Sequence, residues 1–181
     1  MIYVFLADGF EEIEALAPVD FLKRAEVEVK LVGVTGKICT GAHGIKVEAD
    51  IPIDEIKLDD ELSGVVLPGG MPGADNLDKN AVVHKAVDYC VENNLIVAAI
   101  CAAPFILGKK GILKGKNATC FPGFEKYLEG ANVLADGVVT DCNIITAKGA
   151  GVAWEFGAAI NAEITDKLKS DDILRGIQWK R

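Results

Sequence analysis

The feature that most constrains this chain is the segment Leu95-Ile96-Val97-Ala98-Ala99-Ile100 followed directly by Cys101-Ala102-Ala103-Pro104. Six apolar residues in a row leave no polar side for solvent, so the run predicts a strand buried on both faces. Such strands belong to parallel sheets covered by helices on both sides. Proline sits where a helix would begin, so strand passes into helix with almost no linker. The turning residue is Cys101, its next neighbours are alanines, and its side chain is expected to stand out of the sheet's top edge at a strained backbone position.

The rest of the chain repeats the alternation. Ile2 to Ala7 predicts a buried strand, and Glu11 to Ala25 a helix with Ile13, Leu16, Ala17, Phe21 and Ala25 near one face. Val27 to Val34 predicts a second strand. Thr35 to Ala49, with its glycines, predicts a hairpin-like excursion. Gly64 to Leu67 predicts a third core strand, Asn80 to Asn93 a helix, and Ala102 to about Gly108 another. Asn117 to Cys120 is a short strand. Asn132 to Ala135 and Val138 to Thr140 flank Asp136-Gly137, a hairpin signal. Asn143 to Thr146 returns as a strand, Gly151 to Ile164 as a helix, and the last residues as one more. This pattern predicts one α/β domain over residues 1–181 with a mostly parallel sheet, whose ligands bind beyond the carboxyl ends of its strands.

Charge and cysteine usage exclude several classes. A formal net charge of −8 argues against nucleic acid as a partner, since no basic patch offsets it. The longest apolar run, Leu95 to Leu107, is too short for a membrane span and contains Pro104. The start carries no basic leader, so no signal peptide is expected and the protein is read as cytoplasmic. Five cysteines with no CxxC spacing argue against a disulfide framework or a zinc site. Neither Gly69-Gly70-Met71-Pro72-Gly73 nor Lys148-Gly149-Ala150-Gly151 has the spacing of a nucleotide loop.

Two residues stand out for chemistry. Cys101 is open to two readings on its own segment: the continuation of a buried strand, or a nucleophile whose thiolate is favoured by a helix N-terminus and whose oxyanion meets the Ala102 amide. Glu14 is the other. Glu11 and Glu12 suit a helix start, where acids offset the dipole, but Glu14 is bracketed by Ile13 and Leu16. Pro18 deprives its carbonyl of a helical partner, which predicts a kink. Buried beside a thiolate, the carboxyl is expected to keep its proton. Gly69 and Gly70 supply further backbone donors or form only a tight turn.

The segments Ala98 to Pro104, Glu11-Glu12-Ile13-Glu14 and Leu67-Pro68-Gly69-Gly70 together resemble the ThiJ/PfpI superfamily, most nearly the clade of the parkinsonism-associated protein deglycase. Pro18-Val19-Asp20, Gly73 to Leu77, and Lys148 to Gly151 with Glu155-Phe156 continue the likeness in order. The resemblance implies a flavodoxin-like three-layer sandwich and a homodimer. It implies Cys101 as reactive thiol, Glu14 as its protonated partner, and Gly69, Gly70 and Ala102 as the amide pocket. It also implies cofactor-free glyoxalase or deglycase activity on 2-oxoaldehydes such as methylglyoxal, or on glycated adducts. Oxidative-stress sensing through a Cys101 sulfinate is the alternative. A cysteine peptidase or amidase is disfavoured, because Phe121 stands where many relatives carry a histidine and no histidine follows Cys101. His43, Cys120 and Phe121 are candidate rim residues, with Cys120 read either as a resolving thiol or as a core thiol. His84 is read as solvent-exposed.

Overall fold

A computed structural model describes residues 1–180. Seven strands form the main sheet: β1 (Ile2–Leu6), β2 (Val29–Gly33), β5 (Ile51–Pro52), β6 (Gly64–Leu67), β7 (Ile96–Ile100), β10 (Val138–Asp141) and β11 (Ile144–Ala147). Their order across the sheet is β10-β11-β7-β6-β1-β2-β5, and every pairing is parallel except the edge hairpin of β10 with β11. Two short pairs lie outside it: β3 (Ile38–Thr40) with β4 (Lys46–Glu48), and β8 (Asn117–Ala118) with β9 (Asn132–Val133).

The strands are buried on both sides because their side chains alternate between two apolar layers. Tyr3 and Phe5 of β1 join Val65, Leu67, Val97 and Ala99 beneath α2 (Gly73–Asp78), α3 (Ala81–Glu92) and α4 (Pro104–Lys109). Ile2, Val4 and Leu6 join Val66, Ala98 and Ile100 beneath α1 (Glu12–Arg24) and α5 (Ala153–Ile164), with α6 (Lys167–Gly176) packed outside α5. This is the expected α/β three-layer sandwich of flavodoxin type. The chain takes β1 to β2 in one direction and then returns to place β6 on the other side of β1. That reversal opens a crevice between the carboxyl ends of β1 and β6, the place where such sheets hold ligands.

Several local expectations need correcting. Asp136-Gly137 does not close a hairpin: Asn132-Val133 pairs in parallel with Asn117-Ala118. The tight turn is Cys142-Asn143, between β10 and β11, with Cys142 at φ 55°. A left-handed residue at that point suits the twist of a two-residue hairpin loop. Helix α1 runs through Pro18 from Glu12 to Arg24 without a break. Its buried side includes Glu12, Glu14, Pro18 and Phe21, while Ile13 is 53% exposed. Bracketing by apolar neighbours was therefore the wrong reason for burying Glu14, which faces the crevice instead. Helix α2 has too short a pattern to be read from sequence and is anchored by Ala74 and Leu77 in the core. His84 is half-buried rather than exposed, its Nε2 2.6 Å from the Asp78 carbonyl.

Candidate active site

Three strand ends converge at the crevice. After β1 the chain enters α1, whose first turn is organised by side chains. The Glu11 carboxylate accepts the Glu14 amide at 2.7 Å, a cap that satisfies one of the free N–H groups of the helix start. Glu14 lies on the inward side of that turn and is 1% exposed. After β6 come Gly69 and Gly70. The Gly69 amide donates to Glu14 Oε2 at 3.0 Å. A methyl group on Gly69 would fall 2.5 Å from that same oxygen and 2.5 Å from Cys101 Cβ, so only glycine fits. Gly70 adopts φ 85°, and its Cβ position is closed by the Glu11 nitrogen.

After β7 comes Cys101 at φ 64°. The left-handed region costs a non-glycine residue about 1–3 kcal/mol, which the surrounding packing must hold in place. The strand on one side fixes it: the Cys101 amide donates to the Ala147 carbonyl at 2.8 Å, and its carbonyl accepts the Phe121 amide at 2.8 Å. The side chain is left partly exposed at the crevice floor.

The thiol and the carboxyl are neighbours: both bound the space over Gly69, and each shifts the other's titration. Burial pushes Glu14 up to about 7, helped by the negative charge of Glu11 and opposed by the Cys101 hydrogen bond and by the amides of Gly69 and Ala150. Burial also pushes the Cys101 thiol up, followed by the charge and hydrogen bond of Glu14, against the amides of Gly70 and Ala102. This corrects the expected thiolate. Helix α4 is six residues long and begins after a turn, and its amides do not outweigh desolvation and a neighbouring carboxylate. The two groups titrate as a pair: the first proton leaves near pH 7, and the second is held more tightly because burial and the charge left on Glu14 raise the thiol.

The predicted amide pocket is divided between the partners. Gly69 serves Glu14, whereas Gly70 and Ala102 serve the sulfur. Ala150, in the small-residue stretch after β11, is a second backbone group that lowers Glu14 and that sequence reasoning left unassigned. The rim candidates separate. Phe121 reaches the crevice through its bond to the Cys101 carbonyl and is 47% exposed. Cys120 is 2% exposed and packs in the layer under α2–α4, where burial and Glu125 raise its thiol to about 11. Its burial among core residues is what the core-thiol reading expects. His43 is spent on Glu12: its Nδ1 lies 2.7 Å from Glu12 Oε2, and its amide donates to Oε1 at 2.8 Å. The imidazole is raised by Glu12, and Glu12, although buried, is lowered by its bonds to His43 and Ile45. Glu12 thus ties the 41–45 loop to the start of α1. Glu11, Glu12 and His43 bring ligand atoms within 4.8 Å of one another, but these atoms already serve the cap and the ion pair. Both histidines are engaged elsewhere, His43 with Glu12 and His84 with the Asp78 carbonyl.

The chain matches the DJ-1/PfpI family over residues 1–163. It belongs to that family. It is 32% identical over 177 residues to Protein dj-1beta of Drosophila melanogaster, covering 96% of this chain and 94% of the relative. It is also 32% identical over 187 residues to the Parkinson disease protein 7 homolog of Danio rerio, covering 95% and 96%. The crystal structure of Drosophila DJ-1beta superposes with a TM-score of 0.93 at 31% identity, over 99% of this chain and 98% of that one. An oxidized DJ-1 of Toxoplasma gondii superposes at 0.94 with 27% identity, over 99% and 98%. Among the described residues no helix is long and apolar enough to cross a membrane.

Proposed function

We propose that the protein is a DJ-1-like, cofactor-free enzyme that converts small 2-oxoaldehydes to 2-hydroxy acids. The observation that carries this reading is the placement of the buried Glu14 carboxyl and the partly exposed Cys101 around Gly69, whose Cβ position is bounded by Glu14 Oε2 and Cys101 Cβ at 2.5 Å each. In the singly protonated pair the proton moves to Glu14 as sulfur attacks the aldehyde carbon of methylglyoxal, forming a C–S bond and an oxyanion. The oxyanion forms beside the amides that hold the sulfur. Glu14 returns that proton to the oxyanion and, as a carboxylate again, carries a proton from the former aldehyde carbon to the ketone carbon while the hydroxyl proton passes to the ketone oxygen, oxidising one carbon and reducing the other by two electrons. The product is a 2-hydroxy thioester. Water cleaves its C–S bond, releasing lactate and the thiol, so the sum is one aldehyde plus one water. Each step uses a thiol, a carboxyl, amides and water, which the crevice supplies. A glycated adduct that releases the same aldehyde enters by the same route.

The test is lactate formation from methylglyoxal by wild type and by Cys101→Ser. Turnover confined to the wild type supports the reading, and equal rates sink it.

A second reading has its own support, because a relative of the same fold was solved oxidized. Two equivalents of peroxide would take the thiol to sulfinate with release of two waters, and the protonated Glu14 and the two amides would bind its oxygens. Intact mass after mild peroxide should rise by about 32 Da. No rise on Cys101 would remove this role. A homodimer, as the resemblance implies, belongs to the same proposal and is read by sedimentation velocity. Cytoplasmic residence does too, and is read by cell fractionation.

A further inference from the structure

At the β10 edge of the sheet, a second cleft of about 290 Å³ lies between α5 and α6. It shares no lining residue with the Cys101–Glu14 crevice. Two helical stripes line it: Glu155, Ala158, Ala159 and Ala162 on α5, and Lys167, Ser170, Asp171 and Leu174 on α6. Both keep the i, i+3, i+4, i+7 spacing that puts side chains on one face of a helix. Alanines are too short to fill the space between the stripes. The helices are tied by Ser170, 3% exposed, whose hydroxyl donates to the Ala158 carbonyl at 3.1 Å and accepts the Asn161 side-chain amide at 2.8 Å. Trp179 adds an aromatic wall. Gln178 at φ 58° turns the chain back after α6, and the Trp179 amide donates to the Leu174 carbonyl at 3.0 Å. That bond is the long-range bond of a Schellman cap, so the helix end itself delivers the indole to the cleft.

Glu155 is the group this arrangement leaves unanswered. Its carboxylate makes no hydrogen bond or ion pair among the described residues, and Oε2 is sealed from solvent. Lys167, on the opposite wall, is paired with Asp171 at 3.2 Å. Glu155 stands in the first turn of α5, where the helix dipole favours negative charge. A desolvated acceptor without a donor costs free energy that a ligand's N–H groups recover. The last torsion of a glutamate is broad, so either oxygen can turn toward the cleft.

We propose that this cleft binds a small primary aryl-alkyl amine, its ammonium on Glu155 and its ring over the alanines against Trp179. Charge decides the head group, because the two acids on the walls outnumber the one lysine. The alanines, Val138, Leu174 and the indole decide the body, offering it apolar contact and a flat face. The volume is at the small end of ligand pockets and suits one ring on a short chain.

The experiment titrates 2-phenylethylamine into isotope-labelled wild type by NMR, with phenylacetate as the anion of similar shape. Signals of Ala158, Ala159, Leu174 and the Trp179 indole should shift with the amine, with a Kd on the order of 1 mM for a ligand of this size. Phenylacetate should bind about tenfold more weakly or not at all. Glu155→Gln should weaken the amine about tenfold. Ala159→Leu, which fills the cleft and keeps the charge, should also abolish binding. Because Glu155 gives up no partner, Glu155→Gln should melt no lower than wild type, and a lower Tm would show the acid already engaged and overturn the proposal. Equal binding of amine and phenylacetate, an amine affinity that Glu155→Gln leaves unmoved, or shifts confined to residues outside the cleft would each overturn it as well.

Discussion

Replacing Glu14 with glutamine should change the pH dependence of stability in a defined direction. Glu14 rises from 4.5 in the unfolded chain to about 7 in the fold because burial disfavours its charge. A raised acid binds its proton more tightly when folded. Its contribution is therefore fully present below pH 4.5 and is lost as pH rises through about 7. The rise converts to about 3 kcal/mol, at roughly 1.4 kcal/mol per pH unit. Glutamine stays neutral throughout and keeps an oxygen for the Gly69 amide. Urea unfolding of both proteins at about pH 4 and about pH 8 isolates Glu14, because the thiol coupled to it, Cys101, is raised chiefly by burial and titrates above this interval. Wild type should lose about 3 kcal/mol more than Glu14→Gln over that interval. Parallel profiles would refute the claim that Glu14 is a desolvated, proton-retaining carboxyl, and with it the paired titration on which the chemistry rests.

Two further outcomes follow from the same geometry. The rate with methylglyoxal should climb as pH passes about 7, where the Cys101–Glu14 pair loses its first proton, and Glu14→Gln should abolish that inflection along with most turnover. Gly69→Ala places a methyl 2.5 Å from both Glu14 Oε2 and Cys101 Cβ. It should lower stability by about 1–3 kcal/mol in urea unfolding and cut turnover at least tenfold, because the two reacting groups are pushed apart.

The sequence by itself determined the layered sheet and the elbow. Leu95 to Ile100 marked a strand sealed on both faces, and Cys101-Ala102-Ala103-Pro104 left little room for a linker, so the sharp turn at Cys101, found at φ 64°, was legible, while whether its side chain stayed buried with the strand or stood free was not. Periodicity and turn chemistry act over a few residues and are written in consecutive positions. The tertiary structure decided what depends on distant neighbours. Glu12, read as a helix-start acid that offsets the dipole, is buried and paired with His43, 31 positions on, which no local pattern announces. Asp136-Gly137 had the local form of a hairpin and lost to the pairing of Asn132-Val133 with Asn117-Ala118. The protonation of the Cys101–Glu14 pair was likewise decided by the fold. A helix start favours a thiolate, but the energy of a charge is set by how much water surrounds it and which charges stand opposite, and both are fixed only when β1, β6, β7 and the stretch after β11 meet.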